Sequence, residues 1–200
     1  MRKILITKNS NCYEQINSLI IILAALAISL DYRKSGAANY KLGEYISLEG
    51  MAIKSKIKLP LFGPIEAVMM NKKLENINIE IVELDKVDES GKHVISVLEE
   101  TIYYIFMPIF VNFYENNSSQ FENLYPKKYH LWPDSWRMAW VVRNAMAHNG
   151  KIYFKNLNTL PVNWNYVTIT PLDQNKELKK LLNFTDTLIL LFDMEESLKN

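Results

Sequence analysis

Arg143, Asn144 and His148 are the residues whose types and spacing best suit chemistry in this chain. They lie in the stretch Asp134 to His148, where Pro133 and Asp134 are start signals and Asn149-Gly150 is a stop. That punctuation predicts a helix. At ~100° per residue, Met138, Ala139, Val142, Ala145 and Met146 fall on one side as an ordinary core stripe. Trp136, Trp140, Arg143, Asn144, Ala147 and His148 fall on the other. Asn144 and His148, four apart, stack on one face. Small Ala147, between Arg143 and His148, leaves room for a ligand or a second helix.

Arginine presents a planar, permanently charged fork that matches two phosphate oxygens. Histidine titrates near neutrality and can move protons. The Asn144 amide can hold either the imidazole or a phosphate. A cation, an amide and a proton-transfer group on one face suit cleavage of RNA through the neighbouring 2′-hydroxyl, a reaction that needs no metal. Trp136, Arg137 and Trp140 form a candidate RNA-binding or interface strip beside them, because indoles can stack on bases. The plainer reading makes Arg143 and His148 a helix-end pair that bonds carbonyls or a carboxylate, and the indoles filler.

These residues must be positioned by the rest of the chain. Asn9, Ser10 and Asn11 offer caps to a helix running to about Tyr32, and its second half is apolar on nearly every side, as in the centre of a bundle. Its run Leu19 to Leu30 is too short to span a bilayer and lacks the punctuation of a leader, so a core helix is expected. Further helices are predicted over Ala37 to Lys56, Ile65 to Leu74 and Val94 to Tyr114, the last with Pro108 inside it. Asn76 to Leu84 alternates like a strand. Asp88 to Lys92 reads as a loop, and Asn116 to Pro126 as polar and turn-like. Lys151 to Phe154 and Trp164 to Ile169 are expected to pair as a small hairpin, before a last helix from Leu172 to about Leu198.

Composition bounds the function. Two hundred residues with 48% apolar content, and few glycines and prolines, predict one mainly α-helical domain, residues 1–200. A net charge of +1 supplies no global basic field, so any polyanion must be met by a local cluster. The single cysteine, Cys12, excludes an internal disulfide and a cysteine zinc site, and a cytoplasmic setting follows most simply. His93, and His130 beside Lys127 and Lys128, read as solvated loop residues. No metal-ligand spacing and no Gly-rich phosphate loop is present.

RNAMAHNG, from Arg143 to Gly150, resembles the R-x(4-6)-H signature of HEPN domains, a nucleotide-binding and ribonuclease family. Asn144 matches the polar residue that often follows the motif arginine. The stretch WRMAWVVRNAMAHNGKI, Trp136 to Ile152, is similar to a plasmid- and defence-associated branch. The resemblance implies a helical bundle with the motif on a late helix, to which the residues themselves add the small β-hairpin near the C-terminal third. It also implies a homodimer whose paired motif helices form a composite site, with Arg143 and His148 catalytic and Asn144 supporting. The function so implied is a metal-independent endoribonuclease in toxin–antitoxin or antiviral defence, with RNA as substrate, no cofactor, and an antitoxin or regulatory protein as a further partner. The alternative is a non-catalytic nucleotide- or RNA-binding or scaffold module. A related pattern places a tyrosine two residues after the histidine as the acceptor of a nucleotidyltransferase antitoxin; Gly150 stands there, and the nearest downstream tyrosine is Tyr153.

Overall fold

The computed structural model describes residues 1–35, 45–84, 97–126, 128–156 and 160–199. His93, Lys127, the expected loop Asp88 to Lys92 and the first part of the expected helix Ala37 to Lys56 lie outside the described residues. The chain divides into two compact units, Met1–Glu49 with Ser55–Leu84, and Gly50–Lys54 with Asp85–Asn200.

The first unit runs β1 (Arg2–Thr7), α1 (Tyr13–Ser35), β2 (Tyr45–Glu49), β3 (Ser55–Pro60), α2 (Phe62–Met69) and β4 (Asn76–Glu83). Its strands form one antiparallel sheet in the order β1-β4-β3-β2. The period of two decides which side is buried. Ile6, Ile57, Leu59, Ile77, Ile79 and Ile81 are buried, whereas Lys3, Leu5 and Asn78 are exposed. The register sets Ile6 opposite Ile77 and Ile57 opposite Ile81, so apolar side chains meet across strands. In α1, Tyr13, Ile16, Leu19, Ile20, Leu23 and Ala24 are buried while Glu14, Ser18 and Ile22 are not. Over residues 13–28 that is a one-sided stripe, and not the all-round burial expected of a bundle's central helix; α1 packs on α2.

This sheet corrects the expected fold class. The molecule is mixed α and β, and not a mainly α-helical bundle of HEPN type with one hairpin. The described end of the predicted helix Ala37 to Lys56 is instead β2, a turn and the start of β3. Tyr45–Glu49 and Ser55–Pro60 alternate at period two and pair with each other across the turn, and β3 gains its second ladder from the more distant β4. Arg2–Thr7 alternates too, and pairs with β4, 69 to 79 positions away.

The second unit holds α3 (Val97–Leu124), α4 (Asp134–Ala147), the strands β5 (Val162–Trp164) and β6 (Val167–Ile169), and α5 (Phe184–Ser197). The three helices pack on one another, and β5 packs on α4. α3 runs without a break through Pro108 and through the stretch 116–124 that was expected to be turn-like. Phe106, Phe110, Phe113, Asn117 and Phe121 explain it, because all are buried at helical spacing. Asn117 survives burial by donating its amide to the Phe113 carbonyl at 2.8 Å.

The hairpin is tighter than expected. It turns at Asn165-Tyr166, with Asn165 at φ 49°, and sets Trp164 opposite Val167. Lys151 bridges Glu177 instead of pairing with β6. The last helix begins at Phe184, and not near Leu172, because 171–173 and 178–180 form 3-10 turns and Asn175 takes φ 67° between them. Asn183 and Asp186 cap α5 reciprocally. The Asp186 carboxylate also accepts the backbone N–H groups of Met51 and Ala52 at 3.1 and 3.0 Å and of Ile53 at 3.0 Å. Burial raises its pKa against the pull of these donors. Among the described residues no helix is long and apolar enough to cross a membrane.

Candidate functional site

α4 is one amphipathic helix with two different ends. Ser135, Trp136, Met138, Ala139, Val141, Val142, Ala145 and Met146 are buried. Arg137, Trp140, Arg143 and Asn144 are partly exposed, and Ala147 and His148 are exposed. The outward arc therefore carries the predicted site residues, with one exception.

Trp136 lies in the interior. It stacks on Phe121 with ring centroids 4.0 Å apart and planes 9° from parallel, and its indole N–H donates to the Met194 carbonyl at 3.3 Å. The expectation that Trp136 shares the site face is corrected. The wheel does set Trp136 and Arg143 on nearly the same side, which faces α3 and is closed to solvent at Trp136 but half-open at Arg143. Near the start of α4, α3 supplies aromatic rings; near its end, α3 supplies Glu115.

That carboxylate is the partner the sequence reading missed. Arg143 donates through Nε and Nη2 to the same Glu115 oxygen, each at 2.5 Å. Its Nη1 donates to the Asn144 side-chain oxygen at 3.1 Å. The fork is thus held from both sides, and Asn144 keeps its NH2 group as a donor. Both ends of the Arg143–Glu115 pair are partly exposed, with side chains 35% and 45% accessible, so its net contribution to stability is about 0–1 kcal/mol. Burial pushes the neighbouring Tyr114 phenol up to about 12, against the lowering pull of the Arg143 guanidinium. The continuing spacing Phe113, Asn117, Phe121 was the available signal that Glu115 stands on a helix.

His148 caps the helix: its N–H reaches the Asn144 and Ala145 carbonyls at 3.1 and 3.0 Å. Asn149 and Gly150 then take φ 56° and 74°, and the Gly150 N–H bonds the Ala145 carbonyl at 2.8 Å. The reversal brings Tyr153 against the His148 ring, with centroids 4.3 Å apart. Both rings are exposed, so the imidazole is backed on one side by an aromatic face and open elsewhere.

Trp140 and Arg137 sit one and two turns before the motif. Tyr129 packs its ring against Trp140 at 5.3 Å and donates its hydroxyl to the Arg137 carbonyl at 3.2 Å. Arg137 pairs with Asp134. Arg143, Asn144 and His148 therefore gather on the last turn of α4, while Trp140 and Arg137 lead away from them on the same arc. Among the described residues no three His, Cys, Asp or Glu side chains come together as metal ligands.

This arrangement can bind a phosphate at the Arg143–Asn144 edge and exchange a proton at His148. Compared with protein-family models, curated proteins and solved structures, the chain matches none of them.

Proposed function

We propose that this chain is a metal-independent endoribonuclease of the HEPN type, acting as a homodimer in cytoplasmic toxin–antitoxin or antiviral defence. One observation carries the reading: a guanidinium held by a neighbouring amide and an open imidazole share the final turn of one helix. Arg143 would hold the scissile phosphate and stabilise charge on its oxygens. His148 would take the proton of the 2′-hydroxyl, whose oxygen then attacks phosphorus. As the phosphorus–5′-oxygen bond breaks, His148 of a second copy would protonate the leaving oxygen. The products are a 2′,3′-cyclic phosphate and a 5′-hydroxyl.

The test is incubation of the purified protein with total RNA in excess EDTA, beside its His148→Ala variant. Cleavage by the parent alone, leaving cyclic or 3′-phosphate ends, is the expected result. Equal cleavage by both proteins would sink the assignment.

A second reading, a binding or scaffold module without catalysis, is favoured by one specific observation. Arg143 is already committed to Glu115 within one subunit. RNA binding without turnover, unchanged in Glu115→Gln, would select that reading.

A further inference from the structure

A notch opens directly beyond the motif helix. It encloses about 110 Å³ and is lined by Tyr103 and Tyr104 of α3, Asn149 and Lys151 of the helix exit, and Glu177 and Lys179. At ~30 Å³ of liquid per water molecule, that is room for several waters or for the edge of one planar ring. Its walls begin one residue after His148, and the Lys151 N–H bonds the His148 carbonyl at 3.1 Å.

Tyr103 is the unusual member. It is 3% exposed, and its hydroxyl has no hydrogen-bond partner among the described residues. A buried hydroxyl left unpaired is unfavourable, so such a group calls for an explanation. A second void beside Tyr103 measures only about 10 Å³, at the lower limit for one water. Tyr103 also lines the notch, but its hydroxyl is sealed from solvent there. Burial keeps its phenol far above the ordinary range, so it remains a donor at physiological pH.

The other walls complete a recognisable chemistry. Tyr104 is 53% exposed and offers an aromatic face, with the Lys179 ammonium 5.6 Å from its ring centre. Lys179 is itself committed to Glu100. Lys151 is exposed and makes no ion pair among the described residues, which leaves a cation at the rim. Glu177, 3.4 Å from Lys180, adds a carboxylate acceptor. An aromatic platform, an acceptor at the wall and a cation at the mouth match a base with its phosphate. They do not match a simple anion, which would have no use for the ring or the carboxylate.

We infer that this notch is a nucleotide subsite: a single unstacked base lies against Tyr104, its polar edge meets Asn149 and Glu177, and its phosphate meets Lys151. Its placement as the subsite next to the cleaved bond rests on the ribonuclease reading; the binding itself does not. Unstacked bases are what side chains can read in RNA, and stacking tolerates many sequences.

The test is calorimetric titration with adenosine, guanosine, cytidine and uridine 5′-monophosphates, with ribose 5-phosphate as the control lacking a base. The parent, His148→Ala, Tyr103→Phe, Tyr104→Ala and Lys151→Ala are compared. At least one nucleotide should bind, and ribose 5-phosphate should bind about tenfold more weakly or worse. Tyr104→Ala should weaken binding roughly tenfold and Lys151→Ala severalfold, whereas Tyr103→Phe, which loses a hydroxyl sealed from the notch, should bind as the parent does. Tyr104 and Lys151 are surface residues, so their variants keep the fold if Tyr103→Phe does not. His148→Ala should bind as the parent does while losing RNA cleavage. Absence of nucleotide binding at millimolar concentration overturns the subsite even if the parent cleaves RNA. So does an affinity unmoved by Tyr104→Ala and Lys151→Ala. Tyr104-dependent binding in a protein that cleaves no RNA upholds the subsite and removes only the ribonuclease reading.

Discussion

Trp136 and Arg143 stand seven residues apart on the same side of α4, yet one is core and the other is half-open to solvent. Seven residues are nearly two helical turns, leaving only ~20° between the two side chains. The difference comes from α3, which runs past both. Opposite Trp136 it places Phe121 and Tyr114, whose rings lie 4.0 and 5.3 Å away and exclude water. Opposite Arg143 it places Glu115, and the pair stays open to solvent. One helical face can thus anchor a fold at one end and keep chemistry available at the other. The outcome depends on what the neighbouring helix supplies.

The contrast is broken most directly by truncating each residue. Trp136→Ala should destabilise the helical unit by ~3–5 kcal/mol, since a fully buried, stacked indole leaves a cavity. Arg143→Ala should change stability by less than ~1 kcal/mol while removing RNA cleavage. Urea denaturation of the two variants decides it; an Arg143→Ala protein as unstable as Trp136→Ala would make the ion pair a structural strut.

Asp186→Ala comes next. It removes the acceptor of the Met51, Ala52, Ile53 and Asn183 N–H groups, and a loss of ~2–3 kcal/mol is expected in the same measurement. A loss below half of that would mean that water replaces the carboxylate.

Tyr114 touches both ends of the contrast, and it sharpens the picture through pH. Its phenol is held protonated to about 12, above the 10.0 it has without burial. Between those values the unfolded chain has released the proton and the folded chain has not. Stability contributed by the neutral phenol is therefore complete below about pH 10 and falls as pH rises towards 12. The slope from this one group is at most ~1.4 kcal/mol per pH unit. Denaturation at pH 9 and 11 should show the decline, and Tyr114→Phe should make it shallower; an unchanged slope would assign the decline to other groups.

Gly150→Ala should lower stability by about 1 kcal/mol. Nothing lies within 4 Å of an added Cβ, so the effect is backbone strain at φ 74° alone. A shift of a few degrees in Tm is the expected reading. A neutral result would show that the helix exit relaxes without it.

Much of α4 was legible from local signals. Its bounds, its core stripe and the left-handed exit at Gly150 follow from capping chemistry and a 3.6-residue period, which act within a few residues. The hairpin was legible only in part. Trp164 to Ile169 was recognised as extended, but the turn falls inside it at Asn165, and Lys151 found Glu177 instead. The sheet was harder still. Ile4, Ile6, Ile57 and Ile79 alternate correctly, yet short apolar alternations are ambiguous until distant partners are known. Helical spacing also underlies the long α3: Asn116 and Asn117 look turn-like one at a time, while Phe113 and Phe121 hold the segment in register against the core.

By itself, the sequence determined the helix that carries Arg143, Asn144 and His148, because capping and side-chain periodicity are local properties of neighbouring residues. Only the tertiary structure decided which side of that helix meets another. It buried Trp136, delivered Glu115 to Arg143, turned Tyr153 onto His148 and opened the notch beside Tyr103. Each of these contacts joins residues whose approach is set by how elements pack, and packing is a property of the whole chain that no short window contains.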